Sequence, residues 1–178
     1  MVGVKSLFHL AARVHVIHGT DADPLTAFRS VNVDGTLSLA CQAAAAGVKR
    51  FVFVSSIQVN GEITPPGRAY AQADRPNPQD AYGQSKHQAE QGLRQLSVDT
   101  GMEIVIIRPP LVYGPGFPAR LLPVPVWALQ ARASLLGKGD AVQRLGGNLQ
   151  VDMSKARSLV GWVPPVSEEE GLRRAMAV

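Results

Sequence analysis

Three short apolar runs separated by two long helical stretches constrain this chain more than any other feature of it. Residues 51–55, FVFVS, form a continuous run of aromatic and β-branched residues. Such a run predicts a central parallel strand, covered on both faces. Residues 6–10, SLFHL, and 103–107, EIVII, predict two further buried strands. Between them, residues 25–46 and 80–100 read as helices. The first has Pro24 in its opening turn, Phe28, Val31, Leu39 and Ala43 at near-helical spacing, and Gly47 as its stop. The second has Asp80 as its N-cap and Gly101 at its end. Strand, helix, strand, helix, strand at this spacing is a parallel sheet with right-handed crossovers, so the fold class is α/β.

The texture changes after the third run. Residues 61–79 carry Pro65, Pro66, Gly67, Pro76 and Pro78 and predict a long surface loop. Pro109, Pro110, Pro115, Pro118, Pro123 and Pro125 exclude helix or central strand over 109–125. Residues 126–136 predict a short helix, 152–161 a small one ended by Gly161, and Ser167 caps a last one, SEEEGLRRAM.

Composition narrows the class. The 178 residues are 46% hydrophobic and 18% charged, which is the balance of a folded chain. One cysteine, Cys41, excludes a disulfide framework, and its apolar helical setting predicts a buried, inert thiol. No apolar run is long enough to span a membrane. The net charge of +4 is scattered, without a basic tract for nucleic acid. His9 and Arg13 interrupt the N-terminal apolar stretch and no cleavage site follows, so the reading is a cytoplasmic chain.

The chemistry concentrates in Tyr82-Gly83-Gln84-Ser85-Lys86, near the start of the second long helix. Tyrosine and lysine four apart share one helix face. An ammonium near a phenol favours the phenolate, which makes the tyrosine usable as a general base. Ser55-Ser56 end the FVFV strand at the carboxyl edge of the sheet, where open α/β sheets bind ligands. His9, His15 and His18 have no converging acidic or cysteine partners, so they read as core or loop residues without metal. His87 reads as solvent-facing. No GxSxG elbow surrounds the serines, which argues against a hydrolase. Trp127 and Trp162 read as packing anchors.

These segments, in order, resemble the extended short-chain dehydrogenase/reductase superfamily, in its NAD-dependent epimerase/dehydratase branch. FHLAARVH (8–15) is similar to its fourth-strand motif, Asn32-Val33-Asp34-Gly35-Thr36 to its NxxGT helix motif, and FVFVSSIQVNGE (51–62) to the segment of the catalytic serine. YGQSK supplies the tyrosine and lysine, RPPLVYGPG (108–116) is similar to the sixth-strand exit, and GWVPPVSEEEGLRR (161–174) to the C-terminal signature. The wording, SSIQVNGE above all, is most similar to bacterial nucleotide-sugar 4-epimerases acting on UDP-glucose or UDP-N-acetylglucosamine.

The resemblance implies a role for each matching residue. Tyr82 takes the proton of a sugar hydroxyl as hydride passes to NAD. Lys86 lowers the Tyr82 pKa and bonds the nicotinamide ribose, and Ser56 bonds the reacting oxygen. Leu10, Ala11 and Ala12 line the dinucleotide, Asn32 supports that side, and Pro110 lies near the nicotinamide. The partner is a nucleotide sugar, and the two long helices imply a homodimer. Residues 1–116 correspond to a partial Rossmann domain, 117–178 to a remnant of the substrate lobe.

The departures are specific. The family's GxxGxxG loop, which brings N–H groups to a pyrophosphate, has no counterpart here. The likeness begins at the fourth strand, which implies the absence of two βαβ units, roughly 60 residues. A second break is inferred at Phe117-Pro118. Asn60 and Leu111 stand where many members have Tyr and Asn. The expectation is weak NAD binding and doubtful activity. The alternatives are a non-catalytic product or half-enzyme needing an N-terminal partner, or a reductase or sugar dehydratase of the same superfamily. A dehydratase would want an acidic residue beside the serine, and Ile57-Gln58 offers none.

Overall fold

Strand β1 spans Ser6–His9, β2 Arg50–Val54 and β3 Glu103–Ile107. The computed structural model describes residues 3–14, 23–112, 114 and 148–176. The helix expected over 126–136, Trp127, His15, His18, the break at Phe117-Pro118 and the boundary at Gly116 lie outside the described residues.

The strands form one parallel sheet in the order β1-β2-β3. Register aligns Leu7 with Phe51 and Phe51 with Ile104, and brings His9 to Phe53 and Val54 to Ile107. Because all three strands are parallel, their carboxyl ends share one edge of the sheet. Between β1 and β2 run α1 (Pro24–Arg29), a π-helical segment (Ser30–Gly35) and α2 (Thr36–Ala45). A single 3₁₀ turn, Ile57–Val59, follows β2, and α3 spans Ala81–Thr100. Asp80 caps α3 by accepting from the Gly83 amide at 2.7 Å, and Gly101 closes it in the left-handed region at φ 71°.

Among the described residues, helices α1–α3 cover one face of the sheet. Phe51 and Phe53 are fully buried there, packed with Ala40, Ala43, Val48, Ala89, Leu93 and Met102. Burying each phenylalanine contributes about 1.5–3 kcal/mol. Gly92 lets α3 close on α2, since a Cβ there would lie 2.7 Å from the Leu37 methyls. On the opposite face the flanking strands are open, with Phe8 66% exposed, Val105 38% and Ile107 46%, while Val52 of β2 between them is 5% exposed. The central strand is thus buried on both faces as expected, and the expectation that β1 and β3 are buried is corrected. Continuous apolar runs carry no alternation to report which face lacks a cover.

Three more expectations are corrected. The first helix is not uniform. Its buried residues are Phe28, Asn32, Thr36, Ala40 and Ala43, whereas Val31 and Leu39 lie outside, because the π segment alters the phase of the stripe. Cys41 is exposed, since it sits one residue beyond the buried Ala40 and so turns away from the core. His87 is half-buried rather than solvent-facing, and burial lowers its pKa.

The chain divides into two compact units, residues 1–61 with 75–110, and 62–74 with 111–178. The sheet and α1–α3 belong to the first. In the second, Tyr70 forms a parallel bridge with Val151, and Thr64 donates its amide to the Asn148 carbonyl at 2.6 Å. Helices α4 (Ser154–Val160) and α5 (Glu168–Met176) follow, ended by Gly161 at φ 64° and started by the Ser167 hydroxyl, which accepts from the Glu170 amide.

Candidate active site

The carboxyl edge of the sheet collects the residues singled out by sequence. Leu10, Ala11 and Ala12 leave β1, Ser55 and Ser56 leave β2, and Pro110 follows the exit of β3. Leu10, Ala11 and Pro110 are exposed, and Ala12 is half-buried.

Ser56 adopts an extended backbone, caps the 3₁₀ turn and accepts from the Gln58 amide at 3.2 Å. Its hydroxyl faces the Tyr82 phenol and favours the ionised form of that phenol. The two elements meet this closely because position 83 is glycine. A Cβ there would stand 2.8 Å from the Gln58 carbonyl oxygen. The Phe28 ring lies edge-on to Tyr82 at 6.1 Å.

Lys86, one turn further along α3, is only 1% exposed. Its ammonium donates to the Val54 carbonyl at 2.7 Å and lies 4.2 Å above the Phe53 ring. Burial lowers its pKa to about 8, against an opposing pull from Glu90. The pKa of Tyr82 is raised, by burial first and by Asp80 second, while the Ser56 hydroxyl lowers it. The charge of Lys86 is directed at a backbone carbonyl, a partner invisible in a four-residue spacing.

Asn32 is buried, and all its bonds are structural. Its Oδ1 accepts from the Arg13 amide at 2.8 Å, and its Nδ2 donates to the Arg13 carbonyl and to Ser85 Oγ, each at 3.0 Å. Ser85 in turn donates to the Tyr82 carbonyl at 2.7 Å. Asn32 thus ties the segment leaving β1 to the helix that carries the tyrosine. His9 donates or accepts at Thr36 Oγ1 over 2.9 Å and stacks on Phe53, and burial lowers its pKa. No cluster of potential metal ligands occurs among the described residues.

One group escaped the sequence reading. Glu90 is fully buried and bidentate with Arg108, and it accepts from the Ser55 hydroxyl at 2.7 Å. Burial raises its pKa, but the bonds from Arg108 and Ser55 outweigh that and leave it lowered. The available signal was Glu90 standing four residues beyond Lys86, on the face already marked by Tyr82.

The parallel sheet with its helices, the serine at the exit of β2, and the tyrosine and buried lysine on α3 make this a Rossmann-type α/β unit with its polar side chains at the carboxyl edge. The model of the NAD dependent epimerase/dehydratase family matches residues 1–148, and the chain belongs to that family. UDP-glucose 4-epimerase of Vibrio cholerae is 34% identical, covering 93% of this chain and 74% of the relative. That match runs over 242 positions, more than the 178 residues of this chain, so the relative carries residues without a counterpart here. dTDP-D-glucose 4,6-dehydratase of Mus musculus is 30% identical over 79% of this chain and 39% of the relative. Among solved structures, UDP-glucose 4-epimerase of Thermotoga maritima with UDP-glucose superposes at a TM-score of 0.71 and 21% identity, covering 96% of this chain and 75% of the other. dTDP-glucose 4,6-dehydratase of Streptomyces venezuelae with NAD also gives 0.71, at 22% identity, over 97% and 72%. At such identities the structural likeness is one of fold.

Proposed function

We propose that this chain carries the catalytic half of an NAD-dependent nucleotide-sugar epimerase, of the kind acting on UDP-glucose or UDP-N-acetylglucosamine. The observation that carries the reading is the close approach of the Ser56 turn to the start of α3 at the carboxyl edge, through Gly83 and Gln58, with Lys86 buried one turn on. The donor set fits the nicotinamide-ribose end of the dinucleotide: an ammonium for the ribose hydroxyls and two hydroxyls for the reacting oxygen. Leu10, Ala11, Ala12 and Pro110 would line it. Bound NAD would supply the hydride acceptor and a cationic ring that favours the phenolate. Ser56 holds the sugar oxygen, and Tyr82 takes its proton and returns it. The reading carries with it a cytoplasmic location, a homodimer through α2 and α3, and residues 117–178 as the remnant of a substrate lobe.

The test is proton NMR of UDP-glucose incubated with the purified chain and NAD. UDP-galactose anomeric signals are expected, reduced by about 10²-fold or more in Tyr82→Phe. No conversion by a folded, NAD-saturated chain would overturn the reading.

A second reading is favoured by the open apolar face of Phe8, Val105 and Ile107, together with the lack of GxxGxxG in the sequence. It makes the chain a half that completes its pyrophosphate site with an N-terminal piece. Calorimetry at millimolar NAD separates the two. Saturable binding supports a self-sufficient site, and its absence from a folded chain supports the half-enzyme.

A further inference from the structure

Three successive turns of α3 grip three consecutive residues at the end of β2. Tyr82 faces Ser56, Lys86 bonds the Val54 carbonyl at 2.7 Å, and Glu90 takes the Ser55 hydroxyl at 2.7 Å. The three side chains share one helix face, and helical side chains lean toward the N-terminus, so the third turn reaches back to the strand end.

The far side of the same loop is held by the partner of Glu90. The Ser55 amide donates to the Ile107 carbonyl at 2.7 Å and the Ile57 amide to the Pro109 carbonyl at 3.0 Å. Arg108, the residue between those carbonyls, sends its guanidinium to Glu90 and donates Nη1 to Asn60 Oδ1 at 3.0 Å. Ser56 therefore sits in a stretch pinned at both ends, at Ser55 and at Asn60, by one buried ion pair.

We propose that Glu90 is a positioning residue for the Ser56–Tyr82 pair: by holding Ser55 against α3, it sets the reach between the serine and the phenol. It touches neither reacting group. Its catalytic meaning rests on the function proposed above, but the geometry it controls is measurable without turnover. Replacing Glu90 would strand Arg108 in the interior, so Ser55 is the site to vary. Ser55→Ala removes one hydroxyl and leaves the ion pair in place.

The readout is the phenol titration of Tyr82, followed by NMR of the chain labelled with carbon-13 at the tyrosine ring and assigned by the signal lost in Tyr82→Phe. The groups around the phenol, Asp80, Lys86 and the Phe28 ring, are the same in every variant compared. Ser56→Ala removes the hydroxyl that favours the phenolate, and the phenol's ionisation constant should fall by roughly threefold. Ser55→Ala should fall in the same direction and by a similar factor, and Ser55→Thr, which keeps the hydroxyl, should restore it. The double variant should fall no further than Ser56→Ala. A folded Ser55→Ala with unchanged Tyr82 titration, or an additive fall in the double variant, would overturn the proposal. If Ser55→Ala loses its cooperative melt, Ser55→Cys, which keeps the volume and weakens the bond, is read in its place with the same criteria. A chain inactive toward nucleotide sugars would still return this titration, so the two readings fail separately.

Discussion

Lys86 should make the stability of this protein rise with pH over a range where most chains are flat. Its ammonium is buried against the Val54 carbonyl and the Phe53 ring, and its folded pKa is lowered from 10.5 to about 8. Below pH 8 both states hold the proton, and the folded state bears the full cost of a buried charge. Between the folded and unfolded values the native chain releases its proton first, so the unfolded state binds more protons and stability rises. With these midpoints the gain is roughly 2 kcal/mol from about pH 7 to about pH 9.5, approaching about 3 kcal/mol above the unfolded value. Tyr82 opposes it, because a raised phenol pKa withdraws stability once pH exceeds the unfolded value near 10. Comparison with Lys86→Met isolates the lysine, since Tyr82 is present in both. Urea unfolding followed by circular dichroism at the two pH values gives four free energies. The wild-type gain should exceed that of Lys86→Met by roughly 2 kcal/mol. Gains that agree within about 0.5 kcal/mol would show that the ammonium is not held in the interior and would refute the reasoning.

Two further substitutions address the frame around the site. Gly83→Ala gains about 1 kcal/mol of helix propensity but places a methyl 2.8 Å from the Gln58 carbonyl oxygen. Overpacking at about 1–3 kcal/mol should win, so urea unfolding should show a net loss; a gain would mean that the 3₁₀ turn yields freely. Asn32→Ala removes three hydrogen bonds linking Arg13 and Ser85, at about 2–3 kcal/mol in total, and a loss under about 0.5 kcal/mol would show that Asn32 does not staple these segments.

Much of the first unit was legible in the sequence because its signals are local. Asp80 and Gly101 mark both ends of α3 through cap chemistry that needs only neighbouring residues. The apolar runs gave all three strands, and Ser55-Ser56 and Tyr82 fell on one sheet edge because parallel topology puts them there. What was not legible depends on contacts between distant segments. The open face of Phe8 and Ile107 is a matter of what packs against the sheet, and an apolar run reads the same with or without a cover. The direction of the Lys86 ammonium depends on a carbonyl 32 residues away. The pairing of Glu90 with Arg108 joins a helix to a strand exit, and no periodicity connects them.

The buried positions Phe28, Asn32, Thr36 and Ala40 recur every four residues along the helices between β1 and β2. In a regular α-helix that interval overshoots one revolution by about 40° each time, so such a stripe would wind away from the sheet. The π segment Ser30–Gly35 closes its hydrogen bonds one residue further back and holds more residues per revolution, which rewinds the stripe onto its face. The Asn-Val-Asp-Gly-Thr motif lies across that segment. It therefore works as an inserted residue that the wider turn absorbs. Deleting one residue there would return the segment to ordinary α geometry and leave Phe28 on the same face, toward Tyr82. In this stretch the helix can lose one residue and keep its register, a tolerance the regular turns on either side do not have.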